Sequence, residues 1–399
     1  EHIDTPITNS NTRSRARSNL QAKYSSVDNG FVTDVKNQGS NGNCWAYAAC
    51  SVAESYLIKH GMASKNIDLS EAHLTYYMYN NTGDPYSNTD GDRTIVTSPK
   101  GYAGVGSDPR AVELALSTFG LAEESRYPES LLNNGMSGTK ADQYNTKYLL
   151  TNSKLICSDN TQNYKDQIKQ AIFDNGSVFA TYYDQSNYYG NKNSYYNPDK
   201  KNILNHAISI VGWDDNYSKE NFNAAHRPTK NGAWLVLNSY GTGFNGGYYY
   251  ISYEDTMVGK DNTGTLIVSD RDYKNVYQYD VLGSNIHIGL RANDAPLSTV
   301  YASNVFTRKD GNAEYLSEIG VHSVGNTTVD VFVNPTGTLS LTGATQVATG
   351  LTLQEEYKTI KITNPITLTG KQFAVIVKYS STDGNSQAQI PLEAKTTSS

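Results

Sequence analysis

A chain of 399 residues with a formal charge of −6 has room for one large domain or two ordinary ones, each burying its own core. That charge argues against nucleic acid as a partner, and no apolar stretch approaches the roughly 20 residues that span a bilayer, so no transmembrane segment is expected. Thirty-one Tyr, 32 Gly and only 18% charged residues read as a secreted, β-rich protein. Three cysteines cannot all pair with one another, so a disulfide framework is not expected.

In chain order, residues 1–23 are polar and without apolar period, and read as a flexible leader or the remnant of an inhibitory prosegment. Cys44 to Lys59 has helical spacing, with Trp45, Ala48, Ala49, Val52 and Tyr56 on one face and Gly61 placed to stop it. Ser70 caps a second helix through Glu71, Leu74 and Met78. Asp108-Pro109 opens a third, with Val112, Ala115, Leu116 and Phe119 inward and Gly120 at its end. A fourth runs from Tyr164 to Asn175. Short apolar runs at Val178–Tyr183, Ala207–Val211, Ala233–Leu237 and Tyr248–Tyr253 read as strands, so residues 24–270 form an α+β domain. From Tyr273 helical period vanishes. Alternating runs at Val300–Thr307, Thr328–Val333, Tyr357–Ile362 and Phe373–Tyr379, separated by turns, predict an all-β sandwich over 273–395.

Nucleophilic catalysis by cysteine needs a thiolate, a base to make it, a group that orients the base, and donors for the oxyanion. Cys44 opens the first helix, where free N–H groups favour a negative sulfur. Just upstream, Gln38-Gly39-Ser40-Asn41-Gly42-Asn43 carries a carboxamide on a loop able to turn back toward it, so Gln38 and the Cys44 N–H are the candidate oxyanion donors. His206 heads an apolar strand and is the candidate base, with His73 and His226 as alternatives. Asn238 ends another strand before Ser239-Tyr240-Gly241-Thr242-Gly243 and is the candidate orienting group. Cys50 and Cys157 read as inert thiols.

Val35-Lys36-Asn37-Gln38-Gly39, Cys44-Trp45-Ala46, Leu69-Ser70-Glu71, Tyr127-Pro128, Asn205-His206-Ala207 and Asn238-Ser239-x-Gly241-Thr242-Gly243 occur in the order seen in the papain family, which the chain resembles from Phe31 to Tyr253. Asn80 to Gly104 looks like an insertion relative to that family. The resemblance implies a two-lobed fold with Cys44 and Gln38 on the helical side and His206 and Asn238 on the β side. It also implies peptide hydrolysis through a thioester and a thiol acidified by its histidine. By the same resemblance Val105 and Gly106 pair with the substrate backbone. Leu204 and Ala207 line the pocket for the second residue before the cut, with Asp108 at its edge. Two departures stand out. Asn41, with no Cys near Gly106, removes disulfides usual in the helical lobe, and Tyr240 stands where relatives commonly place a Trp over the Asn–His contact.

Residues 273–395 resemble the C-terminal lectin-like module of some bacterial members, such as the clostridial surface-layer-processing cysteine proteases. The partners implied are a protein or peptide substrate, the prosegment, and a cell-wall glycan or surface protein; the location implied is secreted or on a bacterial cell surface. The thioester chemistry requires no cofactor and no metal ligand. Exposed Asp and backbone oxygens in the β-module are of the kind calcium takes, but no ligand spacing assigns a site. A second reading stays open, in which the chain is a surface-binding protein, an adhesin or glycan binder, and its peptidase domain serves processing only.

Overall fold

The computed structural model describes residues 20–80, 101–107, 109–156, 162–190, 193–199, 203–259, 263–279, 286–308 and 312–393. Contacts divide the chain into two compact units, with the division between Asp272 and Tyr273. Cys157, Asp108 and most of the expected insertion lie outside the described residues.

The first unit is built around the helix Cys44–Lys59. The sequence predicts one buried face; the structure buries nearly the whole helix, leaving Tyr56 partly exposed. The small residues Ala46, Ala49 and Ala53 permit this, because they let neighbours approach on every side. Gly61, at φ +69°, turns the chain out of the helix, and the Gly61 and Met62 N–H groups donate to the carbonyls of Ile58 and Leu57. The helix Glu71–Tyr79 begins as predicted, with the Ser70 hydroxyl accepting the His73 N–H. The helices Pro109–Thr118 and Gln162–Asn175 also form.

The β side is one sheet. Its strands Tyr148–Leu155, Gly264–Asp270, Val178–Tyr182, His206–Asp214, Ala233–Leu237 and Tyr248–Ser252 lie side by side in that order, all antiparallel. Ile168 and Ile172 of the Gln162–Asn175 helix pack on this sheet with Val178, Ile208, Ile210, Trp213, Trp234 and Ile251. The strands at Tyr148–Leu155 and Gly264–Asp270 were not expected from sequence, since their apolar alternation is broken by Thr151, Asn152 and Ser153 in one and by Thr265 in the other.

Residues 20–23, read from sequence as part of the leader, belong to the described fold. Lys23–Ser25 form a strand paired with Gly212–Asp214, and the Gln21 carbonyl accepts the Trp213 indole N–H at 3.0 Å. Tyr24 stacks on Trp213, so the edge of the histidine strand recruits residues whose own composition is polar.

The second unit is all β. The strands Thr299–Thr307, Gln372–Ser381, Asn326–Asn334 and Thr345–Gln354 make one antiparallel sheet, and Glu314–His322 pairs with Glu356–Leu368. Val329, Val331, Val333 and Leu353 from the first set share a core with Ile319, Val321 and Ile362 from the second, which is the expected sandwich packing.

Candidate active site

Cys44 is the first residue of its helix, following Asn43, and is partly exposed. The loop before it is held from two directions. Gly42 donates its N–H to the Ala103 carbonyl at 2.7 Å, and a Cβ at position 42 would lie 2.9 Å from the Gly104 carbonyl carbon, so only Gly permits that approach. Asn41 donates to Glu129 and Asn133, giving the loop polar ties. Below the helix, Lys36 bridges Glu54 at 2.9 Å and Glu71 at 2.8 Å, joining both helices to the segment that leads into Gln38.

That segment crosses to the β side. The Gln38 N–H donates to the Ser239 carbonyl and the Gly241 N–H to the Lys36 carbonyl, so residues 36–38 run beside 239–241. The Gln38 side chain is thereby fixed. Its Oε1 accepts the Ser239 hydroxyl at 2.5 Å, and its Nε2 donates to the Asn41 carbonyl at 2.8 Å. One amide N–H remains for a further acceptor.

His206 begins its strand opposite Tyr182 and is 5% exposed. Its Nε2 lies 2.7 Å from Asn238 Oδ1. The same Asn238 atom accepts the Ser239 backbone N–H at 2.8 Å, and since a backbone N–H can only donate, that atom is the oxygen. Nε2 must therefore carry the hydrogen, which leaves Nδ1 as the basic nitrogen when the ring is neutral. Tyr240 stacks on the imidazole at 4.7 Å between ring centres, filling the place of the Trp expected there.

The Cys44 sulfur is met by the backbone N–H groups of Ala207, Trp45 and Cys44 itself. Burial nevertheless pushes the thiol up, those N–H groups oppose the rise, and the charge of Asp184 adds to it. Burial pushes His206 down, opposed by its Asn238 bond and by Asp184. The acidified thiol that the resemblance implies therefore depends on the histidine and not on the helix start alone. Each group by itself is held neutral, and a charged thiolate or imidazolium becomes favourable only when the other supplies its counter-charge.

The other candidates fall away on geometry. Cys50 is fully buried beside the Lys36–Glu54–Glu71 network, and burial pushes its thiol well up. His226 packs edge-on against Tyr188. His73 is fully buried among Tyr77, Phe119 and Tyr127, with Nε2 3.0 Å from the Asp142 carbonyl and no partner for Nδ1. Burial lowers it to about 4, because a second ring proton would find no acceptor. A histidine whose folded value lies below its unfolded one costs stability as pH falls from the unfolded value to the folded one, and nothing further below that. Between about pH 6.5 and 4 the chain should lose about 3 kcal/mol from this residue. Denaturant unfolding of wild type and His73→Leu across that range checks it: the stability difference between them should move in favour of the variant by about that amount, and a constant difference rules it out.

Of the expected substrate contacts, Val105 and Gly106 lie beside the nucleophile helix. The Val105 carbonyl accepts the Trp45 indole N–H at 3.0 Å, the Gly106 carbonyl accepts the Tyr79 hydroxyl, and Gly106 is exposed with open space over its Cα. Leu204, with Ile203, is an exposed apolar residue on the approach to His206. Ala207 is buried, and what it presents to Cys44 is its backbone N–H. Sequence reasoning missed Ser239, Asp184 and the Tyr240 hydroxyl. Ser239 stood inside the quoted Asn238 motif and was findable there; nothing local to Asp184 signals its position.

Comparison with known proteins bears on the family and the domains. Residues 21–266 match the papain family cysteine protease pattern, and residues 276–399 match a lectin-like domain. A cysteine protease of Blomia tropicalis is 27% identical over 58% of this chain and 61% of its own length, and ananain of Ananas comosus is 27% identical over 56% and 52%. The chain thus spans 61% and 52% of these two relatives' own lengths. The cysteine protease and lectin-like domains of Cwp84, a surface layer associated protein of Clostridium difficile, superpose with a TM-score of 0.78 at 25% identity, covering 95% of this chain and 79% of that one. A structure of Cwp84 after propeptide cleavage gives the same score at 26% identity, with 94% and 89% covered. With the family pattern spanning more than half of its residues, the chain belongs to the papain family of cysteine proteases and carries a lectin-like domain after its protease domain.

Proposed function

We propose that the chain is an endopeptidase that cleaves peptide bonds through a thioester on Cys44. The observation that carries this reading is the His206–Asn238 bond, in which the Ser239 N–H leaves only the Nδ1-basic form of the neutral imidazole. Nδ1 takes the thiol proton as sulfur attacks the carbonyl carbon. The Cys44 N–H and the free Gln38 amide hydrogen receive the oxyanion. The C–N bond breaks as the imidazolium returns its proton to the leaving amine. Water, deprotonated by the same nitrogen, then hydrolyses the thioester. The carbonyl and N–H of Gly106 would align the substrate backbone, and exposed Ile203 and Leu204 favour an apolar residue near the cut.

Labelling with an epoxide-type thiol-protease inhibitor, followed by mapping of the adduct, tests the assignment. Modification at Cys44 alone is expected; an adduct on Cys50 or Cys157 sinks it.

The lectin-like domain supports a secreted protein retained at a bacterial surface, in which this domain contacts glycan or surface protein and the protease acts on neighbouring proteins. Among the described residues no helix is long and apolar enough to cross a membrane. The competing reading, adhesion with proteolysis only for processing, is separated by comparing wild type with a Cys44→Ala chain: if surface adhesion is the whole function, it survives the substitution intact.

A further inference from the structure

Asp184 stands in the loop after the strand Val178–Tyr182, and both of its carboxylate oxygens are engaged. Oδ1 accepts the Tyr189 hydroxyl at 2.9 Å and Oδ2 accepts the Tyr240 hydroxyl at 3.0 Å. Its backbone is clamped as well: the Asp184 N–H donates to the Asn205 side-chain oxygen at 2.6 Å, and the Asn205 amide donates back to the Asp184 carbonyl at 2.9 Å. Asn205 immediately precedes His206. The Tyr240 hydroxyl lies 3.3 Å from His206 Nδ1, the nitrogen that must take and return the proton. A Trp at this position would stack on the ring but place no hydroxyl there.

We infer that Tyr240 and Asp184 form a hydrogen-bonded relay that positions His206 and holds its protonated form, a role that rests on the proposed peptidase reading. When the imidazole is protonated, Nε2–H donates to Asn238 and Nδ1–H donates to the Tyr240 oxygen. Tyr240 in turn donates to the Asp184 carboxylate. The phenol thus passes a full negative charge to within two hydrogen bonds of the imidazolium without placing a carboxylate against the sulfur. Once Nδ1 gives its proton to the leaving amine, the hydroxyl keeps its bond to Asp184 and the ring is free to act as base again.

Among the described residues, the groups facing His206 are few. Cys44 comes from the helix start, Tyr182 packs edge-on at 5.8 Å, Tyr240 and Asn238 come from the turn after Ala233–Leu237, and Asp184 stands behind Tyr240. Tyr182 bonds to Tyr189 and Tyr249, so the phenols form one cluster backing the carboxylate. Neutral phenols add no charge, which leaves Asp184 to set the field. Its charge favours the imidazolium and disfavours the thiolate, so removing it should move both limbs of the pH profile toward acid.

The test uses the 399-residue chain with two readouts: kcat/KM on a fluorogenic peptide, and the rate of Cys44 alkylation by iodoacetate, an anion whose attack the imidazolium assists, each followed from pH 4 to 10. Asp184→Asn should lower both limbs, the alkaline one by about one pH unit, a tenfold loss of rate above it. Tyr240→Phe keeps the stacked ring and loses only the hydroxyl; its alkaline limb should fall by a comparable amount. Tyr240→Trp should do the same, and Asp184→Asn combined with Tyr240→Phe should shift no further than Asp184→Asn alone. If neither variant moves a limb and only the plateau drops, the two residues are structural and the relay is overturned. It is equally overturned if Asp184→Asn moves the limbs and Tyr240→Phe does not, since the carboxylate then acts without the phenol. Alkylation keeps the relay apart from the peptidase reading, because wild type that is alkylated with a bell-shaped profile yet cleaves no peptide refutes the peptidase alone.

Discussion

Cys44→Ala should abolish peptide hydrolysis, a loss on the order of 10⁶ in kcat, the scale seen when the nucleophile of a nucleophile–histidine unit is removed. The size of the effect follows from the geometry. Cys44 carries the only thiol at the start of the buried helix, where the N–H groups of Ala207 and Trp45 converge on its sulfur, and no neighbouring side chain there can take over the attack. Because sulfur and imidazole work as a pair, His206→Ala should cost nearly as much, and the double variant should be little worse than either single one. The control is Cys50→Ala. That thiol is fully enclosed in the helix core, so its loss should cost about 1 kcal/mol of stability and leave kcat within a factor of two or three. Active-site titration of the purified variants alongside steady-state rates decides the matter. Residual turnover in Cys44→Ala above a hundredth of wild type would place the nucleophile elsewhere.

Gln38→Ala should lower kcat by about 10²–10³ with a smaller change in KM, the usual cost of losing one oxyanion donor. The side chain is nearly buried, and both ends of its amide are engaged: Oε1 by Ser239 and one Nε2 hydrogen by the Asn41 carbonyl. Only the remaining hydrogen is available to substrate, so the amide is aimed before substrate arrives. Truncation also strands the Ser239 hydroxyl, which should cost about 1–3 kcal/mol of stability. Gln38→Glu keeps an acceptor for Ser239 but removes the donor to substrate and sets a carboxylate oxygen against the Asn41 carbonyl, so its kcat should fall at least as far and its stability should not recover. A Gln38→Ala enzyme within threefold of wild type in kcat would show that the amide does not face the reacting carbonyl.

Much of this was legible in the linear chain. The order Gln38, Cys44, His206, Asn238 with its flanking residues identified the chemistry, because each role demands a particular functional group and the neighbours of each are themselves constrained. Ser70, Gly61 and Pro109 marked helix boundaries for reasons that act within a few residues. The change of period near Tyr273 separated an α+β unit from an all-β one, since a sandwich buries alternate residues and a helix does not.

What acts across the chain was not legible. Periodicity gave the Cys44 helix one apolar face, whereas the fold encloses it on nearly every side and so raises the thiol that the helix start alone would acidify. The polar residues 20–25 read as leader until an unpaired edge of the histidine strand supplied them with partners. Asp184 has no local signature at all, and it reaches His206 only because antiparallel pairing of Val178–Tyr182 with His206–Asp214 brings its loop beside the imidazole. Sequence determined which functional groups the protein possesses, because chemistry belongs to the residue. Tertiary structure alone decided their protonation and aim, because burial, counter-charge and hydrogen-bond partners come from residues far away in the chain.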